Sequence, residues 1–259
     1  MSAADLSLAV TLAQQAGDIL MGHWQTRDSL AIRTKRAGDF MSRADLEAET
    51  FLRDALRAAR PSDSWLGEET GSDGHSDRTW IVDPLDGTTN FLRGIPHWAV
   101  SIALLEAGKL SVGVIHDPIK SETFAARTGA PATLNGQPIR TAPTKTMANA
   151  LFGTGIPFGG MAHIDDHAAD IARLMPLCAG VRRMGAASLD LAYVASGRLD
   201  GFWERRLQPW DIAAGLVILD QSDARTEGWH KAENPRDTGT VLTATPALFD
   251  AFAQVLRAG

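Results

Sequence analysis

Asp83 and Asp86 stand three residues apart at the end of the apolar run Trp80-Ile81-Val82, and Gly87-Thr88-Thr89-Asn90-Phe91 follows at once. The run has the character of a short buried strand, which Pro84 and Gly87 are expected to stop. Both carboxylates would then lie at a strand's C-terminal end, where α/β sheets gather their ligands. Two such charges about 4 Å apart repel by about 4 kcal/mol at an effective dielectric of about 20. A divalent cation removes that cost. Carboxylate and carbonyl oxygens, without sulfur or imidazole, are the hard donors that suit Mg²⁺. Gly87 lets the backbone approach a ligand closely, and the N–H groups of a turn opening into a helix attract anions. The Thr88 hydroxyl can orient a metal-bound water. A cation site beside an anion cradle suits a phosphoryl group attacked by metal-activated water. The same residue types also make an ordinary Asx-rich turn, so the rest of the chain has to decide.

The elements that must position these residues alternate between helix and strand. Amphipathic patterns predict helices over Leu6–Trp24 and Ser42–Ala59, the second opened by a Ser42-x-x-Asp45 capping box. Short strands are expected at Ser64–Leu66 and Thr79–Val82, a hairpin pair at Trp98–Leu105 and Leu110–Ile115, and further β character at Glu122–Ala126. Beyond a surface crossing at Pro138–Thr146, strands are expected at Asn149–Phe152, Val181–Met184, Gly201–Glu204 and Val241–Ala244. Helices are expected at Ile164–Cys178, Ser188–Ser196, Asp211–Leu219 and Pro246–Arg257. This alternation predicts a layered α/β architecture in one domain with two lobes, 1–143 carrying most of the acidic candidates and 144–259 the remainder.

Composition narrows the function classes. The 259 residues are 44% hydrophobic and 22% charged, which is ordinary globular usage. The formal charge of −6 argues against a nucleic-acid-binding surface and requires an anionic substrate to be drawn in locally. No apolar run reaches the roughly 18 residues of a membrane span, no signal peptide is visible, and the single Cys178 fits a reducing cytoplasm.

Three distant acids could join the pair. Glu68 leaves the strand-like Ser64-Trp65-Leu66 much as Asp83 leaves its own strand, although Gly67-Glu68-Glu69 alone reads as a solvated turn. Asp211 opens a helix in Pro209-Trp210-Asp211-Ile212-Ala213-Ala214-Gly215, where an N-cap would explain it. Asp45 has its capping-box role. Together, Asp83-Pro84-Leu85-Asp86-Gly87-Thr88-Thr89-Asn90-Phe91, Gly67-Glu68-Glu69 and Trp210-Asp211-Ile212-Ala213-Ala214-Gly215 resemble the inositol monophosphatase family of Mg²⁺-dependent phosphatases. Asp39–Asp45, Leu134–Ile139 and Gly185–Glu204 fall in the expected order, so the likeness spans most of the chain.

The resemblance implies an αβαβα sandwich, a homodimer in the cytoplasm, a small phosphorylated substrate and inhibition by Li⁺. It further implies that Glu68, Asp83, Asp86, Asp211 and the carbonyl of Leu85 bind two or three Mg²⁺ ions. Thr88, helped by Asp45 and Glu68, would position the attacking water. Gly87 and Thr88 N–H groups would hold phosphate, while Gly185, Ala186, Ala187 and Glu204 would face the alcohol. Inositol 1-phosphate is the default substrate, with histidinol phosphate, fructose 1,6-bisphosphate and 3′-phosphoadenosine 5′-phosphate as alternatives.

The chain departs from the family pattern at Asp220-Gln221-Ser222-Asp223, in the Glu227–Thr240 loop with Trp229 and His230, and at Ala186, where many members carry a hydroxyl. His163-x-x-x-His167 has metal-like spacing but reads as exposed histidines around helix-opening acids. Arg182-Arg183 would steer phosphate, reach an acidic partner, anchor a dimer contact or stay solvated; Cys178 reads as core and His116-Asp117-Pro118 as a strand-ending turn. Two other classes remain in play. An aspartyl-nucleophile phosphatase is disfavoured by the two-residue spacer between Asp83 and Asp86. A non-catalytic regulatory protein working through a partner is disfavoured by the intact acidic set.

Overall fold

The computed structural model describes residues 3–26, 32–36, 39–156, 164–231 and 233–258, with the backbone alone at 32–36 and 39–41. The described elements begin with α1 (Ala3–Gln25), β1 (Ile32–Arg36), β2 (Asp39–Ser42), α2 (Arg43–Ala59), β3 (Ser64–Gly67) and β4 (Gly71–Asp73). Then follow β5 (Arg78–Asp86), α3 (Thr88–Arg93), β6 (Ala99–Glu106), β7 (Lys109–Asp117), β8 (Glu122–Arg127), β9 (Thr133–Leu134) and β10 (Gln137–Pro138). The remainder is β11 (Leu151–Thr154), α4 (Ile164–Leu174), β12 (Gly180–Arg182), α5 (Ala187–Ala195) and β13 (Gly201–Glu204). It closes with α6 (Pro209–Asp220), β14 (Arg225–Glu227), α7 (Pro235–Thr238), β15 (Val241–Ala244) and α8 (Phe249–Arg257).

Among the described residues an eight-stranded sheet runs in the order β10-β9-β8-β7-β6-β5-β3-β4, and a five-stranded sheet in the order β12-β11-β13-β15-β14. Helices α1 and α2 cover one face of the larger sheet. Helices α5 and α6 lie between its other face and the smaller sheet, whose outer side is covered by α4 and α8. The architecture is therefore the αβαβα sandwich.

Strand β6 shows how the sequence builds these layers. Val100, Ile102 and Leu104 join the core under α1 and α2, whereas Ala99 and Ala103 face α5 and α6. Large side chains thus fill one face and small ones admit a helix backbone on the other. Gly113, paired with Ala103, continues the shallow face: a Cβ there would come within 2.4 Å of the Ala214 carbonyl oxygen. On its other side α6 meets α5 at Gly215, where a Cβ would lie 2.4 Å from Leu191 Cδ1. The small residues that follow Asp211 are therefore packing residues, and they seat the helix that carries it.

Several local expectations need correcting. Strand β5 does not stop at Pro84. It pairs with β6 through Asp83–Ser101, shifts register, and pairs again at Asp86–Ala99. Proline removes one ladder N–H, and a bulge absorbs the loss. The helix expected over Ile164–Cys178 is α-helical only to Leu174, followed by a 3₁₀ turn, Met175–Leu177, at Pro176. His167 is buried and lies against Trp203, so it is no surface histidine; its partner in the spacing, His163, lies outside the described residues. Burial holds its imidazole below the usual range. The Glu227–Thr240 loop contains the end of β14 and the short α7.

Candidate active site

Asp83 and Asp86 leave β5 on either side of the bulge at Pro84 and Leu85. Asp83 is 2% exposed, and one carboxylate oxygen accepts the Leu85 N–H at 2.9 Å, an Asx turn that fixes the side chain. Asp86 accepts the Ser188 N–H at 2.8 Å and the Ser188 hydroxyl at 2.5 Å, and so links the sheet to the first turn of α5. Gly87 then turns the chain at φ 92° into α3. A Cβ there would meet the His97 carbonyl oxygen at 3.0 Å, so both conformation and space favour glycine.

Thr88 Oγ1 lies 3.1 Å from Asp45 Oδ1 and 3.0 Å from the Leu85 carbonyl oxygen. Asp45 is held in turn by the capping box at the start of α2. Its other oxygen accepts the Ser42 N–H at 2.8 Å and the Ser42 hydroxyl at 2.5 Å. Glu68 follows β3, and its N–H donates to the Val82 carbonyl at 3.2 Å. Asp211 is the third residue of α6, not its N-cap. Gln208 caps the helix, and Asp211 accepts the Gln208 N–H at 2.7 Å. The Ser101 hydroxyl donates to the Trp210 carbonyl at 3.3 Å and ties this helix start to β6.

Electrostatics show that these acids share one environment. Burial first, then the charges of Glu68, Asp86 and Asp211, holds Asp83 well above the usual carboxylate range. Asp86 is pushed up to about 6 by burial, opposed by its Ser188 hydrogen bonds and assisted by Glu68. Asp45 also rises to about 6, through burial against its Ser42 hydrogen bonds, with Glu68 adding a smaller push. Among the described residues no three acids, imidazoles or thiolates converge into a finished metal cage. Asp83, Asp86 and Asp211 each turn an oxygen toward a protein N–H instead. The donors remain hard oxygens on mutually repelling groups, Asp83 buried and Asp86 and Asp211 half-buried, and this set fits a divalent cation.

Of the residues expected to face an alcohol, Gly185 adopts φ 83° and Ala187 is the first residue of α5, whereas Ala186, its N-cap, is 1% exposed and packs into the hydrophobic core. Glu204 ends β13, 7% exposed. A Cβ at Gly155 would overlap its carboxylate at 1.9 Å. Burial, with Asp211 and Asp86 nearby, holds Glu204 well above the usual range, while Arg183 pulls the other way. The exposed Arg183 thus bears electrostatically on the Glu204 carboxyl.

Four residues that sequence reasoning missed support the site. Glu49, one turn after Asp45 on the buried face of α2, accepts the Glu69 and Thr70 N–H groups at 2.8 and 2.7 Å, clamping the turn after Glu68. Its position four residues after Asp45 is the available signal. Asn90 donates to the carbonyls of His97 and Met184, both at 2.8 Å, and so fastens α3 to the loop before Gly185. Ser188 holds Asp86. Asp190 lies buried behind Glu204, with Oδ1 lacking a hydrogen-bond partner. No sequence signal distinguishes these last three from ordinary helix residues.

The model of the inositol monophosphatase family matches residues 3–257. An inositol-1-monophosphatase of Rhizobium meliloti is 38% identical over 256 residues, covering 97% of this chain and 96% of the relative. The Nus factor SuhB of Escherichia coli is 35% identical over 254 residues, covering 97% and 95%. The crystal structure of extragenic suppressor protein suhB from Bartonella henselae superposes with a TM-score of 0.95 at 34% identity, covering 99% of this chain and all of that one (100%). The likeness read from the Asp83–Phe91 and Trp210–Gly215 segments thus extends over the whole fold, and the chain belongs to the inositol monophosphatase family.

Proposed function

We propose that the chain is a Mg²⁺-dependent phosphomonoesterase of small polyol phosphates, with inositol 1-phosphate as its foremost substrate. The observation that carries this reading is the Thr88 hydroxyl held between Asp45 and the Leu85 carbonyl, beside the mutually repelling acids Glu68, Asp83, Asp86 and Asp211. These four acids and the Leu85 carbonyl would hold two or three Mg²⁺ ions. Bound Mg²⁺ would offset the acids' charge, polarise the phosphoryl oxygens and acidify a water.

The chain's own residues account for the rest. Thr88 orients the attacking water and relays its proton to Asp45, whose carboxyl, at about 6, suits a general base near neutral pH. Glu68 assists that positioning. The water oxygen bonds to phosphorus in line with the breaking bond to the alcohol oxygen, without a phosphoenzyme. The N–H groups of Gly87 and Thr88, at the opening of α3, face the phosphate. Gly185, Ala187 and Glu204 face the alcohol, with Ala186 buried beneath them, and Glu204 accepts its hydroxyl hydrogens.

The test is phosphate release from inositol 1-phosphate, histidinol phosphate, fructose 1,6-bisphosphate and 3′-phosphoadenosine 5′-phosphate, each with Mg²⁺ or EDTA, for wild type and Asp83→Asn. Mg²⁺-dependent release from inositol 1-phosphate, lost in the folded variant, is the expected result. Wild-type turnover by Asp83→Asn would reject the metal site. A second reading, a regulatory role through a partner, draws on relatives named Nus factor SuhB. It gains if no substrate is hydrolysed while a partner co-purifies.

A further inference from the structure

A second polar cleft, of about 390 Å³, lies where α4 meets the segment after β13 and the Trp229 loop. Its walls carry Arg173, Arg205 and Arg206 against Asp166 and Asp170, with Thr240 at the side. The cationic excess is organised. Asp170 is fully buried and takes two guanidiniums, Arg173 at 2.6 Å and Arg205 on its other oxygen. One carboxylate cannot neutralise both. Arg205 is further fixed by stacking at 3.6 Å on the Trp229 ring, and the Trp229 carbonyl is held by Arg257 at 2.5 Å. Next to them the buried Nε of Arg173 has no acceptor among the described residues.

Arg206 adds the second observation. It is exposed and adopts φ 64°, a left-handed conformation that disfavours side chains other than glycine, Asn or Asp. A long cationic side chain kept in such a backbone, on the wall of a cleft with two more guanidiniums, calls for a ligand that uses it. Guanidiniums in a fixed array match the oxygens of phosphate, sulfate or carboxylate.

We propose that this cleft is an oxyanion-binding site formed by Arg173, Arg205 and Arg206. It is distinct from the phosphate cradle at Gly87 and Thr88. Arg205 and Arg206 belong to the short strap that joins Glu204 to Asp211, and Leu207 within it is pinned by a 2.8 Å hydrogen bond to the Gly239 carbonyl. An anion held there acts on a segment whose two ends enter the active site. The anion comes either from a second acidic group on the substrate or from a free effector, and both sources share this chemistry.

Inorganic sulfate is the probe, measured by calorimetric titration of the intact protein without substrate. Arg206→Gly is the informative variant, because glycine removes the guanidinium and suits the left-handed backbone. Sulfate affinity should fall at least tenfold in Arg206→Gly and in Arg173→Met, and stay unchanged in Asp83→Asn, with thermal melting confirming that each variant is folded. Wild-type sulfate affinity in Arg206→Gly, or loss of it in Asp83→Asn alone, overturns the proposal. Steady-state kinetics with sulfate then separates the sources. Competition only against substrates bearing a second acidic group assigns the site to the substrate, and a change in kcat for a monophosphate assigns it to a free effector. Because the primary readout is binding, its failure is distinct from a failure of the phosphatase reading.

Discussion

Gly113→Ala adds one methyl group at the closest approach between β7 and α6. The new Cβ would stand 2.4 Å from the Ala214 carbonyl oxygen and 3.0 Å from Val217 Cβ. Neither neighbour is the far end of a flexible side chain, so strand and helix must separate. Overpacking of this kind costs about 1–3 kcal/mol. At about 2–4 °C per kcal/mol for a chain of this size, the melting temperature should fall by about 2–12 °C. Helix α6 carries Asp211, and a displacement of about 1 Å at a reacting centre costs about a hundredfold in rate, so turnover should fall further than stability alone predicts. Gly22→Ala is the matched control. It sits within α1 with nothing within 4 Å of the new methyl group, and should stabilise by about 0.4–1 kcal/mol. Denaturation curves and phosphate release for both variants decide the matter. A Gly113→Ala protein that melts with wild type would refute the seating of α6 on β7 at this distance.

Mg²⁺ at millimolar concentration should raise the melting temperature of wild type by mass action and leave Asp83→Asn nearly unmoved; equal shifts in both would point to binding elsewhere. In EDTA, Asp45 should impose a pH-dependent cost. Its carboxyl is raised from 3.8 to about 6 by burial, so the folded state keeps a proton that the unfolded state has lost, and stability falls as pH rises through that window. A tenfold change in proton affinity corresponds to about 1.4 kcal/mol, so the stability of wild type relative to Asp45→Asn should drop by about 3 kcal/mol between about pH 4 and pH 7. A flat difference in chemical denaturation across that range contradicts the assignment. Glu49→Gln replaces one acceptor of the Glu69 and Thr70 N–H groups with a donor. It should cost about 1–3 kcal/mol and lower turnover through Glu68, which urea titration and phosphate release would detect together.

The residues proposed to do chemistry are more legible in the sequence than the residues that hold them. The Gly201–Glu204 and Val241–Ala244 strands lie where their β-rich patterns place them, and Ser42 with Asp45 makes the capping box its spacing announces. Local signals of this kind are carried by neighbours in sequence. The passage of β5 beyond Pro84 is hidden because a bulge depends on the partner strand, here Ser101 and Ala99 of β6. The three-residue edge strands Gly71–Asp73 and Arg225–Glu227 are too short to show a period. His167 reads wrongly as a surface residue because its burial comes from Trp203, 36 positions on, rather than from its own helix. Glu49, Asn90, Ser188 and Asp190 act on backbone or charge elsewhere in the fold, which no window of sequence contains.

The hydrogen bonds that close the site join residues far apart along the chain: Asp86 with Ser188 across 102 positions, Asn90 with Met184 across 94, and Ser101 with Trp210 across 109. Loop closure over such spans precedes any reward from the contact, so these links belong late in folding. During synthesis, a nascent chain that has built the larger sheet still lacks the groups that fasten Asp86 and deliver Asp211. Catalytic competence should therefore trail the appearance of secondary structure in a refolding experiment, and a half-length fragment with a well-formed sheet should remain silent.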